Sequence, residues 1–467
     1  MDTNHKIAAS ASPLHASRVR SKTLSILRDE LRPMLRLAAP LVMAEIGWMF
    51  MGIVDTIMLG RLPNSAVAIG ASSLGSTLFH TISIFGGGLF LGLDTLVSQA
   101  FGRGDLATAN RSLINAVYLQ LMIAPVLMAL GWLWPPLLRH MGIQNEILRA
   151  MVPFLNALNW GMLPLLSYFV LRRYLQAVHV VKPVMFALIS ANIVNALFNW
   201  IFIFGHWGSP AFGIAGSGWS TCLARIYMAL VLLGTLLYYD RKHRFGLLTA
   251  GRKLEFKLIA NLLALGLPAA SQILLEIGVF AVVAALCAKL GPIPLAGHQI
   301  ALTMAALAYM VPLGISSAAA VRVGNEIGRG NLHSARHAGW AAILLGAAFM
   351  SCAAAIFLAA PRQIARIFTP DPVVIHMGAA LLLIAAAFAL FDGLQTVATG
   401  ALRGAGDTCN PMLATLVAYW LIGLPVGWVL CFRFGWGAQG LWTGLCLALI
   451  LIGIFLLWVW NEKSRVA

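Results

Sequence analysis

Twelve apolar runs, each long enough to cross a bilayer as a helix, constrain this chain more than any other feature. They fall at 37–59, 66–98, 113–136, 151–171, 184–204, 214–238, 259–288, 295–321, 339–360, 374–401, 411–432 and 438–460. A hydrocarbon core about 30 Å thick takes ~20 helical residues to span. Inside it every backbone N–H and C=O has to be bonded within its own segment, so such runs are expected as helices. The predicted fold class is all-α: a polytopic membrane protein with twelve transmembrane helices. Composition supports this, with 60% hydrophobic and only 10% charged residues, against ~25% charged in a soluble domain. A chain so poor in polar side chains has no water-facing surface to offer, which argues against a soluble enzyme or a disordered segment. The formal charge of +16 does not indicate nucleic acid, because the basic residues sit between the apolar runs and are not interleaved with aromatics.

Those basic residues are sorted. Of the 32 Lys and Arg, 24 lie on one side, in the tails and the connections near 103–111, 172–182, 241–257, 322–336 and 403. Seven lie on the other, and Arg225 falls inside a span. The positive-inside rule then predicts both termini in the cytosol. Residues 1–36 are basic and lack an apolar stretch ending in a small-residue cleavage site, so they are expected as a retained cytosolic tail. Leu37-Ala-Ala-Pro40 is answered by Leu265-Gly-Leu-Pro268, and Ala100-Phe-Gly-Arg-Gly-Asp105 by Glu326-Ile-Gly-Arg-Gly-Asn331, at offsets of 228 and 226. An offset of six helices keeps orientation, so two pseudo-symmetric six-helix lobes are expected at 37–238 and 259–460, related by an axis along the membrane normal. The basic stretch 239–258 reads as the cytosolic linker and 461–467 as a cytosolic tail. Six isolated cysteines suit neither a disulfide framework nor a zinc site. His333 and His337 lie four apart on a basic loop without a third ligand.

Function is expected where polar groups stand inside the spans. A charge at the bilayer centre costs ~2.5–3.5 kcal/mol on insertion scales, so Glu45, Asp55, Asp94, Glu276 and Asp392, with Glu326 near a helix end, need a reason to be there. Asp94 and Glu326 have cations nearby in sequence, among Arg103, Arg322 and Arg329, and are expected to pair. Glu276 and Asp392 have none within two turns. Asp392, Gln395, Thr396, Thr399 and Arg403 form one polar stripe along the tenth span, which predicts a cavity or the bundle interior. Desolvation disfavours an ionised carboxylate there, so Asp392 can alternate between holding and releasing H⁺ or Na⁺. In the first half Asn192, Asn195 and Asn199 form a similar stripe, whose carbonyl oxygens suit Na⁺ if Asp55 supplies the charge and Thr221 a further oxygen. Interhelical amide hydrogen bonding is the alternative. Glu45 lies about 15 Å from Asp55 along the first helix and about 80° around it, so the two are expected to act apart. No phosphate loop and no Ser/His/Asp set is visible, so neither an ATP-driven pump nor an enzyme is expected.

Four segments carry a resemblance to the multidrug and toxic compound extrusion (MATE) family. They are Ile53-Val-Asp-Thr-Ile-Met-Leu-Gly-Arg61, Leu93-Asp-Thr-Leu-Val-Ser-Gln-Ala-Phe-Gly102, Val321-Arg-Val-Gly-Asn-Glu-Ile-Gly328 and the stretch from Asp392 to Asp407. The resemblance implies a two-lobe antiporter of the plasma membrane, in a bacterium the inner membrane, acting as a monomer. It would export small organic, commonly cationic compounds in exchange for inward H⁺ or Na⁺, with no other cofactor. By position Glu276 and Asp392 match the acidic pair of the C-terminal lobe in the NorM-like and eukaryotic branches. Asp55 matches the first-helix acid, with Asn195 and Thr221 as companions. Asn199 stands where the archaeal branch carries Asp, which turns the expected coupling site towards the C-terminal pair. A flippase for a lipid-linked precursor is the alternative function, and a wide cationic cavity would be its mark.

Overall fold

The computed structural model describes residues 13–140, 145–251 and 253–466; side chains are described from residue 30. Part of the basic tail, residues 1–12, together with Arg252 of the linker and the last residue, lies outside the described residues. Among the described residues every regular element is a helix. In the first lobe these are α1 (Pro13–Leu59), α2 (Ser65–Leu89), α3 (Gly92–Gly102), α4 (Leu106–His140), α5 (Asn145–Trp160), α6 (Met162–Ala177), α7 (Lys182–Phe204) and α8 (Ile214–His243). The second lobe holds α9 (Phe256–Leu290), α10 (Pro292–Gly328), α11 (Leu332–Ala359), α12 (Pro361–Phe368), α13 (Pro372–Gly404), α14 (Cys409–Thr415), α15 (Leu424–Phe432) and α16 (Gly437–Val466). Eleven helices or nearly straight helix pairs are long and apolar enough to span, and α5 with α6, bent by 42°, makes the twelfth.

Three spans are interrupted where apolar counting predicts continuity. Gly161 separates α5 from α6, and a Cβ there would stand 3.0 Å from the guanidinium of Arg225; the break makes room for that buried cation. Between α2 and α3 the chain turns at Phe90 and Leu91. Leu416–Gly423, between α14 and α15, is a π-helix, a form that concentrates at functional sites. At the start of the chain α1 is helical from Pro13, so residues 13–36 of the segment expected as a tail continue as helix into the first span. The loop expected near 362–366 contains α12, with Ile364 and Ala365 buried and Ile367 exposed, a short amphipathic helix of the kind that lies along an interface.

Each lobe has an apolar core that reaches across to the other, the second lobe's taking in Met34, Leu37, Ala38 and Leu41 of α1 and the first lobe's Ile259 and Leu262 of α9. The lobes meet in the half of the molecule where the Lys/Arg-rich connections lie, hereafter the basic face. Contact there is backbone on backbone. A Cβ on Gly102 of α3 would stand 2.1 Å from the carbonyl oxygen of Asn325 in α10, and one on Gly328 of α10 would stand 2.2 Å from that of Gln99 in α3. Gly102 and Gly328 are repeat equivalents at an offset of 226, so the two contacts are reciprocal. A second reciprocal pair lies deeper, with Gly88 against Ala270 and Gly314 against Val42. Only glycine permits such approaches, as between helices packed at small-residue interfaces. Hydrogen bonds cross at the same level: Thr95 Oγ1 donates to the carbonyl of Arg403 at 2.5 Å and Gln99 Nε2 to that of Gly404 at 3.0 Å.

Candidate functional site

Two polar clusters lie inside the bundle, one in each lobe. In the second lobe, the i, i+3 spacing of Asp392 and Gln395 places both on the buried face of α13, where they are 8% and 2% exposed. Glu276 reaches them from α9. Gln395 Nε2 stands 3.3 Å from Glu276 Oε1 and 3.2 Å from Asp392 Oδ1, so one amide bridges the two acids. Thr396 donates to the Asp392 backbone carbonyl at 2.7 Å, and Gln272 Nε2 lies 3.5 Å from Thr399 Oγ1. The expected polar stripe is thus assembled and faces α9. Its far end, Arg403, does something else: its guanidinium pairs with Asp94 of α3 at 3.1 Å across the lobe boundary.

Tyr309 of α10 and Tyr419 of the π-helix stand in the neighbourhood of Glu276 and Asp392. Tyr419 is fully buried, and its hydroxyl has no hydrogen-bond partner. Trp420 donates from Nε1 to the Leu275 carbonyl at 3.1 Å, which ties the π-helix to the turn of α9 that carries Glu276. Neither tyrosine was among the expected site residues, and nor was Gln272. The aromatic residues have no helical spacing to Asp392, and only the packing of α9, α10 and α13 joins them.

In the first lobe Asp55 of α1 is held by three neighbours. Asn199 Nδ2 donates to Oδ1 at 2.6 Å, Thr221 Oγ1 donates to Oδ2 at 3.1 Å, and Asn195 Oδ1 accepts from Asn199 at 3.2 Å. Asn195 and Asn199 are fully buried, and Asn199 Oδ1 has no partner. The Asn195 amide oxygen, the Thr221 hydroxyl and the Asp55 carboxylate therefore converge around the Asn199 amide nitrogen, and these oxygens are of the kind that suits a hard monovalent cation. One turn along α8 from Thr221, the buried Arg225 lies 4.4 Å from the ring centroid of Phe79 and acts on Asp55 electrostatically. Asn192 does not join this cluster: its Nδ2 bonds the carbonyls of Gly47 and Leu188 at 3.0 and 2.9 Å, which fastens α7 to α1.

The remaining acids are paired. Glu45 bonds Arg172, with both residues buried, and stands apart from Asp55 as their spacing predicts. Arg172, counted from sequence with a basic connection, is instead inside the helix end of α6. Asp94, expected against Arg103, pairs with Arg173 at 3.3 Å and with Arg403. Glu326 pairs with Arg322 and Arg329 at 3.4 and 2.7 Å, as expected. The cations that Asp94 uses come from helix ends distant in sequence: Arg173 from α6 of the same lobe, and Arg403 from α13, which only the meeting of the lobes supplies.

Comparison with known proteins places this arrangement. The family model MatE matches twice, at residues 40–201 and 268–429, which restates the internal repeat at its offset of 228. The chain is 33% identical to a probable multidrug resistance protein NorM of Mesorhizobium japonicum over 450 residues, covering 95% of this chain and 96% of that protein. Its fold superposes on the eukaryotic MATE transporter AtDTX14 with a TM-score of 0.84 at 20% identity, covering 94% of this chain and 98% of that one. It matches an outward-facing multidrug resistance MATE transporter equally well, with a TM-score of 0.84 at 18% identity over 95% and 98% of the two chains. Two copies of one family model over most of a twelve-helix, two-lobe membrane protein make this chain a member of the MatE family.

Proposed function

We propose that the protein is a secondary antiporter that exports small organic, mainly cationic compounds in exchange for inward H⁺ or Na⁺. The observation that carries this reading is the pair Glu276 and Asp392, bridged by Gln395; among the described residues neither acid forms an ion pair. The two hydrogen bonds to Gln395 leave the carboxylate oxygens no more than about 6.5 Å apart. Two charges at that distance repel by at least about 2.5 kcal/mol at an effective dielectric of 20. One proton, one Na⁺ or one organic cation relieves this, and each makes the next less favourable. Substrate and coupling ion therefore compete for the same charge, and exchange follows as a difference in affinity between two states.

The positive-inside rule puts the basic face in the cytosol, so the lobe contacts described above correspond to a carrier shut towards the cytosol. Protonation or Na⁺ binding at Glu276 and Asp392 from outside releases the substrate, and the neutralised pair then favours reopening inward. Asp55 with Asn195, Asn199 and Thr221 is a second cation station in the first lobe, and the bacterial inner membrane is the setting we assign. The mark of a lipid-linked flippase, a wide cationic cavity among the spans, finds no support in an interior where Arg225 faces Phe79.

The test is ethidium efflux in everted vesicles from cells expressing Asp392→Asn or Glu276→Gln. Each variant is expected to lose at least about tenfold of the rate, one buried charge interaction being worth ~1.4 kcal/mol or more. Wild-type rates in both would sink the assignment. Proteoliposomes with the Na⁺ and pH gradients imposed separately then identify the coupling ion.

A further inference from the structure

A cavity of about 380 Å³ opens at the basic face, where α1, the connection between α6 and α7, α8 and α10 come together. Its polar wall is cationic: Arg36, Lys182 and Arg322 line it, with Tyr239 and His179 beside them. Arg36 and Lys182 are exposed, and among the described residues neither forms an ion pair. Arg322 is bonded by Glu30 at 2.7 Å and by Glu326 at 3.4 Å, and its Nε is left without a partner. Arg329 shares Glu326. Among the described residues, four cations against two carboxylates leave two positive charges in excess around this opening. The other wall is apolar, formed by Pro33, Leu37, Val180 and Val181.

Cations on one wall and aliphatic surface on the other are what an amphiphilic anion needs. We propose that this cavity binds a phosphate-bearing anion, the headgroup of an acidic phospholipid, with the phosphate between Arg36, Lys182 and Arg322 and the glycerol end against Leu37 and Val180. Basic clusters at the cytosolic membrane surface attract such lipids by about 1 kcal/mol per Lys or Arg. The site is the reverse of the Glu276 and Asp392 pair in charge, so it does not compete for the exported cation. Arg322 belongs to the second lobe and the other walls to the first, and the bound headgroup therefore favours the arrangement in which the lobes touch at the basic face. The binding itself does not depend on the transport reading.

Full-length protein in neutral detergent, titrated with dihexanoyl-phosphatidylglycerol and separately with inorganic phosphate, tests this by microscale thermophoresis. Removing two cations at about fivefold each predicts about 25-fold weaker lipid binding in the double variant Arg36→Gln, Lys182→Gln. Both positions are exposed, and an unchanged melting temperature confirms that the variant is folded. Lys257→Gln, an exposed cation on α9 away from the cavity, is expected to bind like wild type. Lipid that binds at least tenfold more tightly than phosphate identifies the headgroup as ligand. Equal binding of phosphate, lost in the same variant, would assign the site to a free phosphate and overturn the lipid. Lipid affinity unchanged in the double variant, or no binding of either probe to wild type, would overturn the site altogether.

Discussion

Substituting Gly328 by alanine should prise the lobes apart at the basic face. The new Cβ would lie 2.2 Å from the carbonyl oxygen of Gln99, where real contacts are at least about 3 Å, so α3 and α10 have to separate by about 1 Å. No rotamer change relieves the clash, because the neighbour is backbone within a helix. Overpacking of this kind costs ~1–3 kcal/mol. Two kcal/mol is about a 30-fold change in the ratio of two states, comparable with the few kcal/mol that separate the conformations of a typical two-state protein. Spin labels at the exposed Arg103 and His333, on opposite lobes, report the change, with the exposed Cys352 and Cys409 replaced. The expected result is a longer, broader distance distribution and an efflux rate lowered about tenfold or more. Gly234→Ala is the control, since a Cβ there meets nothing within 4 Å. A distance distribution and efflux rate both equal to wild type would refute the idea that glycine contact closes this face.

Glu45→Leu leaves the buried Arg172 without its partner and is expected to destabilise the fold by about 3–5 kcal/mol, read as a lower melting temperature. Glu45→Leu combined with Arg172→Met should recover most of the loss, and failure to recover would show that the pair does more than satisfy itself. His179, in the connection between α6 and α7, accepts a hydrogen bond from Asn325 Nδ2 across the lobe boundary at 2.9 Å when its ring is neutral. Burial, helped by Arg322 and Arg329, lowers its pKa to about 4. The unfolded chain, with His near 6.5, binds more protons between these values, so stability is full above about pH 6.5 and declines as pH falls towards 4. His179→Gln should flatten the melting-temperature profile in that window, and an unaltered slope would remove the histidine from it.

The twelve spans were legible because lipid leaves a helix no alternative partner for its backbone, and an unbroken apolar run is the direct mark of that. The interruptions were not: Gly161 and the π-helix at Leu416–Gly423 answer to Arg225 and to packing on α9, which no local window contains. In the candidate site, Asp392, Gln395 and Thr396 share a helix and so share a readable period. Glu276 was legible as an acid without a nearby cation, though its link through Gln395 was not. Tyr309, Tyr419 and Gln272 come from other helices, and tyrosine in an apolar run looks like filler. Arg172 and Arg403 were misplaced for the converse reason. A cation at the end of a span looks like part of a solvated connection until its carboxylate, Glu45 or Asp94, arrives from another helix.

The reciprocal glycine contacts also bear on how fast the two lobes can part. Gly88, Gly102, Gly314 and Gly328 have no rotamers to freeze, and Ala270 and Val42 opposite them have few. A long side chain immobilised in such a junction would lose up to ~2 kcal/mol of conformational entropy, and each opening would have to restore it. Here closure orders almost nothing that was not already ordered within its helix. Polar resistance to opening comes from discrete links, among them Asp94 with Arg403, Arg173 with Ser317, Glu30 with Arg322, Thr95 and Gln99 with the end of α13, and Asn325 with His179. A boundary built this way behaves as a latch with few catches, and each catch can be weighed singly by substitution without disturbing the core of either lobe.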